Sequence, residues 1–218
     1  MRCVRVVLAK KGRAKYTSHL DMQRCMMRAV RRAGIDLWYT EGFNPHPYVT
    51  FALPLPLGVE SDGEPVDIRL EDDISNTEVK RKLNPVLPEG IEVVRVENAV
   101  SKPGDIAFAK YNIVLYGFEG AKEKILSALA SGNLPAEKTG KSGRHKVTKQ
   151  VNIAEMMGDY SVEENGDFVE IDIVLAAGST KNASPFLLLD ALSTVIGESI
   201  EYRNITRKGI LLANLEKF

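Results

Sequence analysis

Apolar residues along this chain switch between two periods in an order that recurs, and that order limits the folds open to it. Val4, Val6 and Leu8 alternate with Cys3, Arg5 and Val7, the two-residue period of a strand with one buried face. After Ser18 the period lengthens. At about 100° per residue, His19, Met22, Met26, Ala29, Val30 and Ala33 fall on one side of a helix, and Asp21, Arg24, Arg28, Arg31 and Arg32 on the other. Strand patterns follow over residues 48–53 and 64–70, then a helix over 76–83 stopped by Pro85, then a strand over 90–97.

Ser101-Lys102-Pro103-Gly104-Asp105 is the best linker composition in the chain, and a second round begins after it. A strand over 107–118 leads to a helix over 120–131, a polar loop over 132–143, and strands over 144–151 and 168–176. Ser184-Pro185, an N-cap with proline at the first helical position, opens a helix that runs to Gly197. A strand over 200–206 and a tail containing Ile210-Leu211-Leu212 close the chain. The predicted fold is α+β: two tandem ferredoxin-like (βαββαβ) domains with antiparallel sheets, residues 1–100 and 106–218. Such a unit covers one sheet face with two helices and leaves the other face, or a groove beside it, for a ligand.

Net charge is zero, yet charge is segregated. Residues 1–35 hold ten Lys or Arg against Asp21 alone. Residues 60–78 hold Glu60, Asp62, Glu64, Asp67, Glu71, Asp72, Asp73 and Glu78 against Arg69. A local positive surface is therefore compatible with a balanced average. On the first helix, Asp21 is the one acid near four guanidiniums, with Thr17 or Ser18 as N-cap and Gly34 as the stop. A solvated surface and a phosphate-binding surface are the two readings of that face. Lys138, Lys141, Arg144, His145, Lys146 and Lys149 form a second basic stretch, which reads equally as a solvated loop.

Cys3 and Cys25 stand alone, which gives no disulfide framework and no paired metal ligands. No apolar run approaches the roughly 20 residues needed to span a bilayer, and Met1-Arg2-Cys3-Val4 opens into a strand pattern, so a cytoplasmic protein is expected. GxxxxGK[ST], HExxH and GxSxG motifs are missing, and Gly140-Lys141-Ser142 lacks the glycine a phosphate loop needs before it. Neither a metal nor an organic cofactor is expected.

Tyr16-Thr17-Ser18-His19-Leu20-Asp21, Arg28-Ala29, Arg32-Ala33-Gly34, Gly42-Phe43-Asn44-Pro45-His46-Pro47, Phe51-Ala52, Pro54-Leu55 and Gly58-Val59-Glu60-Ser61 together resemble the signature of the radical-SAM-linked protein family. The resemblance covers the first half closely and the second half loosely. It implies a domain that occurs alone or fused behind a cobalamin-binding radical S-adenosylmethionine enzyme, in the company of RNA-processing and ribosomal proteins. No activity is implied, and the chain lacks the three-cysteine cluster motif of the radical enzyme itself.

Two functions of different class follow. As a non-catalytic RNA-binding or substrate-presenting partner of such an enzyme, the chain would hold phosphates with Lys11, Arg13, Lys15, Arg24, Arg28, Arg31, Arg32, Arg144 and Lys146. Trp38, Tyr39 and Phe43 would offer stacking faces, and Asn44, Pro45, His46 and Pro47 would form a fixed motif loop. As a metal-independent endoribonuclease, resembling in architecture the enzymes that process CRISPR repeat transcripts, it would use His19, Tyr16 and Lys15, with His46 as substitute base. The bland alternative for His19 is a structural histidine at the helix start. A third function is a protein-binding scaffold that docks a basic partner on the acidic segment.

Overall fold

The structure is a computed structural model and describes residues 1–71, 73–142, 145–178 and 181–218. It divides into two compact units: Met1–Ile106 with Arg207–Gly209 and Phe218, and Ala107–Thr206 with Ile210–Lys217.

The first unit runs β1 (Arg2–Lys10), α1 (His19–Arg32), β2 (Val49–Phe51), β3 (Glu60–Leu70), α2 (Asn76–Leu83) and β4 (Ile91–Asn98). β1 lies between β4 and β3, antiparallel to both, and β2 pairs antiparallel with β3 through Val49, Thr50 and Phe51 opposite Ile68, Asp67 and Val66. The alternation read in β1 sorts its side chains as expected. Val4, Val6 and Leu8 join Val66, Ile68 and Leu70 of β3 in one core with Met22, Met26, Ala29 and Val30 of α1 and Val79 and Leu83 of α2. The opposite phase puts Arg5 on the other face, where it pairs with Asp67 beneath the Phe218 ring.

α1 begins where Ser18 caps it: the Ser18 hydroxyl accepts from the Asp21 N–H and donates to the Asp21 carboxylate at 2.7 Å. It ends at Ala33, with Gly34 at φ +60° allowing the chain to turn and the Ile35 N–H to reach the Val30 carbonyl. Between α1 and β2 the chain makes a small hairpin. The Tyr48 N–H donates to the Trp38 carbonyl and the Thr40 N–H to the His46 carbonyl, and residues 42–45 are its exposed tip.

The second unit runs β5 (Ile106–Tyr116), α3 (Ala121–Ala130), β6 (Pro135–Ser142), β7 (His145–Asn152), β8 (Met157–Asn165), β9 (Phe168–Ala176), α4 (Pro185–Ile196) and β10 (Tyr202–Leu212). Its sheet follows the order β10-β5-β9-β8, with β5 and β8 antiparallel to β9, and β6-β7 forms a separate antiparallel pair. Residues whose composition reads as a polar loop therefore form β6. Lys138, Thr139, Gly140 and Lys141 carry no apolar alternation, and the pairing to β7 supplies the order instead. β8 is a further strand beyond those the sequence predicts, and β10 extends through Leu212, into the expected tail.

Candidate nucleic-acid interface

Some of the segregated charges pair with each other within the first unit. Arg5 of β1 binds Asp67 of β3 in a two-pronged pair at 2.8 and 3.0 Å. The Lys11 and Lys208 ammoniums both bond Asp62, and the Gly12 N–H donates to Glu60 at 2.9 Å. Burial alone pushes the Asp62 carboxyl up, but these lysine hydrogen bonds outweigh it and hold the group below its ordinary value. Glu64 is buried, and Glu78 pairs with Arg81 one helical turn away. Within the acidic segment, Glu60, Asp62, Glu64, Asp67 and Glu78 thus have partners inside the first unit, while Glu71 and Asp73 are exposed.

α1 is the exception. Its packing face is sequestered, so the arginines stand on the surface, and its one acid, Asp21, meets Arg24 at a long 3.4 Å. Arg32 donates to the Val86 carbonyl at 2.7 Å. Among the described residues, no carboxylate forms an ion pair with Arg28, Arg31 or Arg13. Two clefts border this cationic face. One of about 430 Å³ is lined by Arg24, Arg28 and Arg31 above apolar Met27, Val30, Ile35 and Leu37, with Asp36, Tyr39 and Pro47 completing the wall. The other, about 310 Å³, is lined by Asp21, Arg24, Cys25, Arg28, Arg32 and Pro88. Burial pushes the Cys25 thiol up against the opposing pull of Arg32 and Arg28, so it faces this cleft as a thiol.

The three aromatic candidates separate. Trp38 is committed to Arg69, whose guanidinium carbon lies 4.5 Å from the Trp38 ring centroid and 4.7 Å from that of Tyr48. Tyr39 is 46% exposed at the larger cleft, and Phe43 projects fully into solvent. The motif loop is held by His46, whose Nδ1 lies 3.0 Å from the Thr40 hydroxyl and 3.1 Å from the Asn44 carbonyl, leaving Asn44 and Pro45 exposed.

Three of the residues proposed for catalysis, Lys15, Tyr16 and His19, lie at or just before the start of α1. His19 packs edge-on against Phe51 with ring centroids 5.3 Å apart. Tyr16 is exposed, with the Lys15 ammonium 5.5 Å from its ring centroid. His46 belongs to the separate hairpin loop. Arg144 lies outside the described residues, and of Lys146 the backbone is described, opposite Lys141 in the β6-β7 pair.

Sequence reasoning misses a buried polar group behind the His19 end of α1. Lys10, Glu64 and Arg207 are each almost wholly inaccessible. The Lys10 ammonium donates to the Thr17 carbonyl at 2.9 Å, Arg207 donates to the Leu53 carbonyl at 2.7 Å, and Glu64 accepts from the Leu55 N–H at 3.2 Å. Burial pushes the Glu64 carboxyl up, against the pull of Arg207, Lys10 and His19, and burial lowers Lys10. A signal for two of the three exists. Glu64 continues the phase of Val66, Ile68 and Leu70, and Lys10 that of Val4, Val6 and Leu8. Among the described residues, no group of acids, histidines and cysteines is arranged to hold a metal, and no helix is long and apolar enough to cross a membrane.

These features define an α+β protein with antiparallel sheets and an arginine-faced helix above an apolar cleft. Residues 3–185 match the family described as "Uncharacterized protein conserved in bacteria (DUF2344)", and the chain belongs to that family. No curated protein matches it. Among solved structures, a chain of the "Crystal Structure of a Cbf5-Nop10-Gar1 Complex" is similar in fold, with a TM-score of 0.54 and 10% identity over 95% of this chain. This chain spans 48% of that neighbour.

Proposed function

We propose that the chain is a non-catalytic RNA-binding module that presents its RNA to a radical S-adenosylmethionine enzyme. One observation carries the RNA reading: α1 keeps Arg28 and Arg31 exposed beside a cleft, and among the described residues neither forms an ion pair with a carboxylate, whereas Arg5 and Lys11 of the same N-terminal segment are paired with Asp67 and Asp62. A solvated helix needs no such imbalance, because acids spaced three or four residues away would stabilise it. The radical-enzyme partner rests on the motif resemblance. We read both units as ferredoxin-like, in support of which stand the orders β4-β1-β3-β2 and β10-β5-β9-β8, the second with the β6-β7 pair inserted. The endoribonuclease reading retains one favourable observation, the Lys15 and Tyr16 contact just ahead of His19.

The test is a salt titration of binding to single-stranded RNA. Replacing Arg28 and Arg31 by Ala is expected to weaken binding and reduce the slope of log affinity against log salt by roughly 0.7 per lost contact. Wild-type binding that ignores salt sinks the proposal.

A further inference from the structure

We infer that the larger cleft seats one unpaired nucleobase of the bound strand, between α1 and residues 34–39; this rests on the RNA-binding reading above. Phosphates alone explain arginines but not what lies beneath them. A strand held only by its backbone stays solvated and needs no apolar recess. Here the arginines rim a cavity of about 430 Å³ floored by Met27, Val30, Ile35 and Leu37. That floor suits a flat, partly apolar ring, and the exposed Tyr39 at its wall offers the aromatic face on which such a ring stacks. Bases within a duplex are stacked and paired and cannot enter, so the site selects single strands, loops or extruded nucleotides.

Asp36 narrows the ligand further. It lines the same cleft as Arg24, Arg28 and Arg31, yet among the described residues it pairs with none of them. Against a phosphate a carboxylate is repulsive. Against a base edge it is useful, because a carboxylate accepts from an exocyclic amine such as that of cytosine. The seated base is therefore cytosine, whose 4-amine is the donor a carboxylate reads, with Arg24, Arg28 and Arg31 placed for the flanking phosphates.

The experiment compares affinities for a labelled oligocytidine, an abasic strand of equal length, oligouridine and free cytidine monophosphate. Wild-type protein is expected to bind oligocytidine roughly tenfold more tightly than the abasic strand, since one stacked base is worth about that much. Tyr39→Ala is expected to erase this difference while leaving abasic affinity unchanged, and Tyr39→Phe to preserve it. Asp36→Asn is expected to remove the preference for oligocytidine over oligouridine. Equal wild-type affinity for oligocytidine and the abasic strand overturns the base seat and leaves the RNA reading standing. Salt-insensitive binding or none removes that reading and this inference together. Free cytidine monophosphate binding as tightly as the strand makes the cleft a nucleotide site and overturns the strand. Loss of base preference in Tyr39→Phe overturns the role given to stacking.

Discussion

Arg5 and Asp67 are direct cross-strand partners in β1 and β3, and their side chains close a two-pronged ion pair at 2.8 and 3.0 Å while only 3% and 6% exposed. The Phe218 ring covers the guanidinium, with its centroid 3.7 Å from the central carbon, and the Ser101 carbonyl accepts a further hydrogen bond at 2.7 Å. Such a pair adds little net stability as a whole, because desolvating two charges offsets their attraction, but removing one partner strands the other. Asp67→Ala is expected to cost about 3–5 kcal/mol, measured by urea denaturation. Replacing both residues, Arg5→Met with Asp67→Leu, is expected to recover most of that loss. A single-variant cost below about 1 kcal/mol would show that water reaches the guanidinium.

The same pair shows how far the sequence can be read. Alternation in β1 places Arg5 opposite the core, and its partner Asp67 comes from the acidic segment because β1 and β3 pair with each other. Helix α1 is legible because its signals agree: Ser18 caps, Asp21 sits in the first turn, and Met22, Met26, Ala29 and Val30 share the buried face. What stays hidden depends on distant pairing. The larger cleft exists because residues 34–39 fold back beside α1, held by the Trp38 N–H to the Arg69 carbonyl and the Glu71 N–H to the Asp36 carbonyl. Arg207 joins Lys10 and Glu64 from across the chain, and no local pattern announces that.

Glu64 gives a pH signature. Burial raises its carboxyl pKa in the folded state, so across the window from the ordinary carboxylate range up to the raised value the folded protein binds more protons than the unfolded chain. Stability from this group is therefore lost as pH rises through that window. Glu64→Gln keeps an oxygen to accept from the Leu55 N–H and removes the titration. Inside the window, the variant's stability relative to wild type is expected to increase by up to about 1.4 kcal/mol for each step of one in pH. Denaturation curves at matched ionic strength from pH 4 upward measure it. A difference that does not change with pH, or falls, means that the pull of Lys10 and Arg207 outweighs burial.

His19 separates the binding and ribonuclease readings. It stands at the first position of α1, and its ring meets Phe51, a buried residue of β2, edge-on at 5.3 Å. An aromatic contact of this geometry is worth about 0.5–1.5 kcal/mol beyond the area it buries, so His19→Ala is expected to lower stability by an amount of that order. RNA affinity is expected to change less than twofold, because Arg24, Arg28 and Arg31, which line the larger cleft, lie farther along α1 and His19 does not line it. A general base would behave differently. Its removal typically costs a hundredfold or more in rate while leaving affinity intact. Incubating RNA with wild type and variant, below the melting temperature of each, distinguishes the two. Cleavage by wild type that disappears in the variant would assign His19 to the chemistry and set aside the non-catalytic reading. A lowered melting temperature with no cleavage by either protein places His19 with Phe51, as a residue that fixes the start of the helix from which the arginines project.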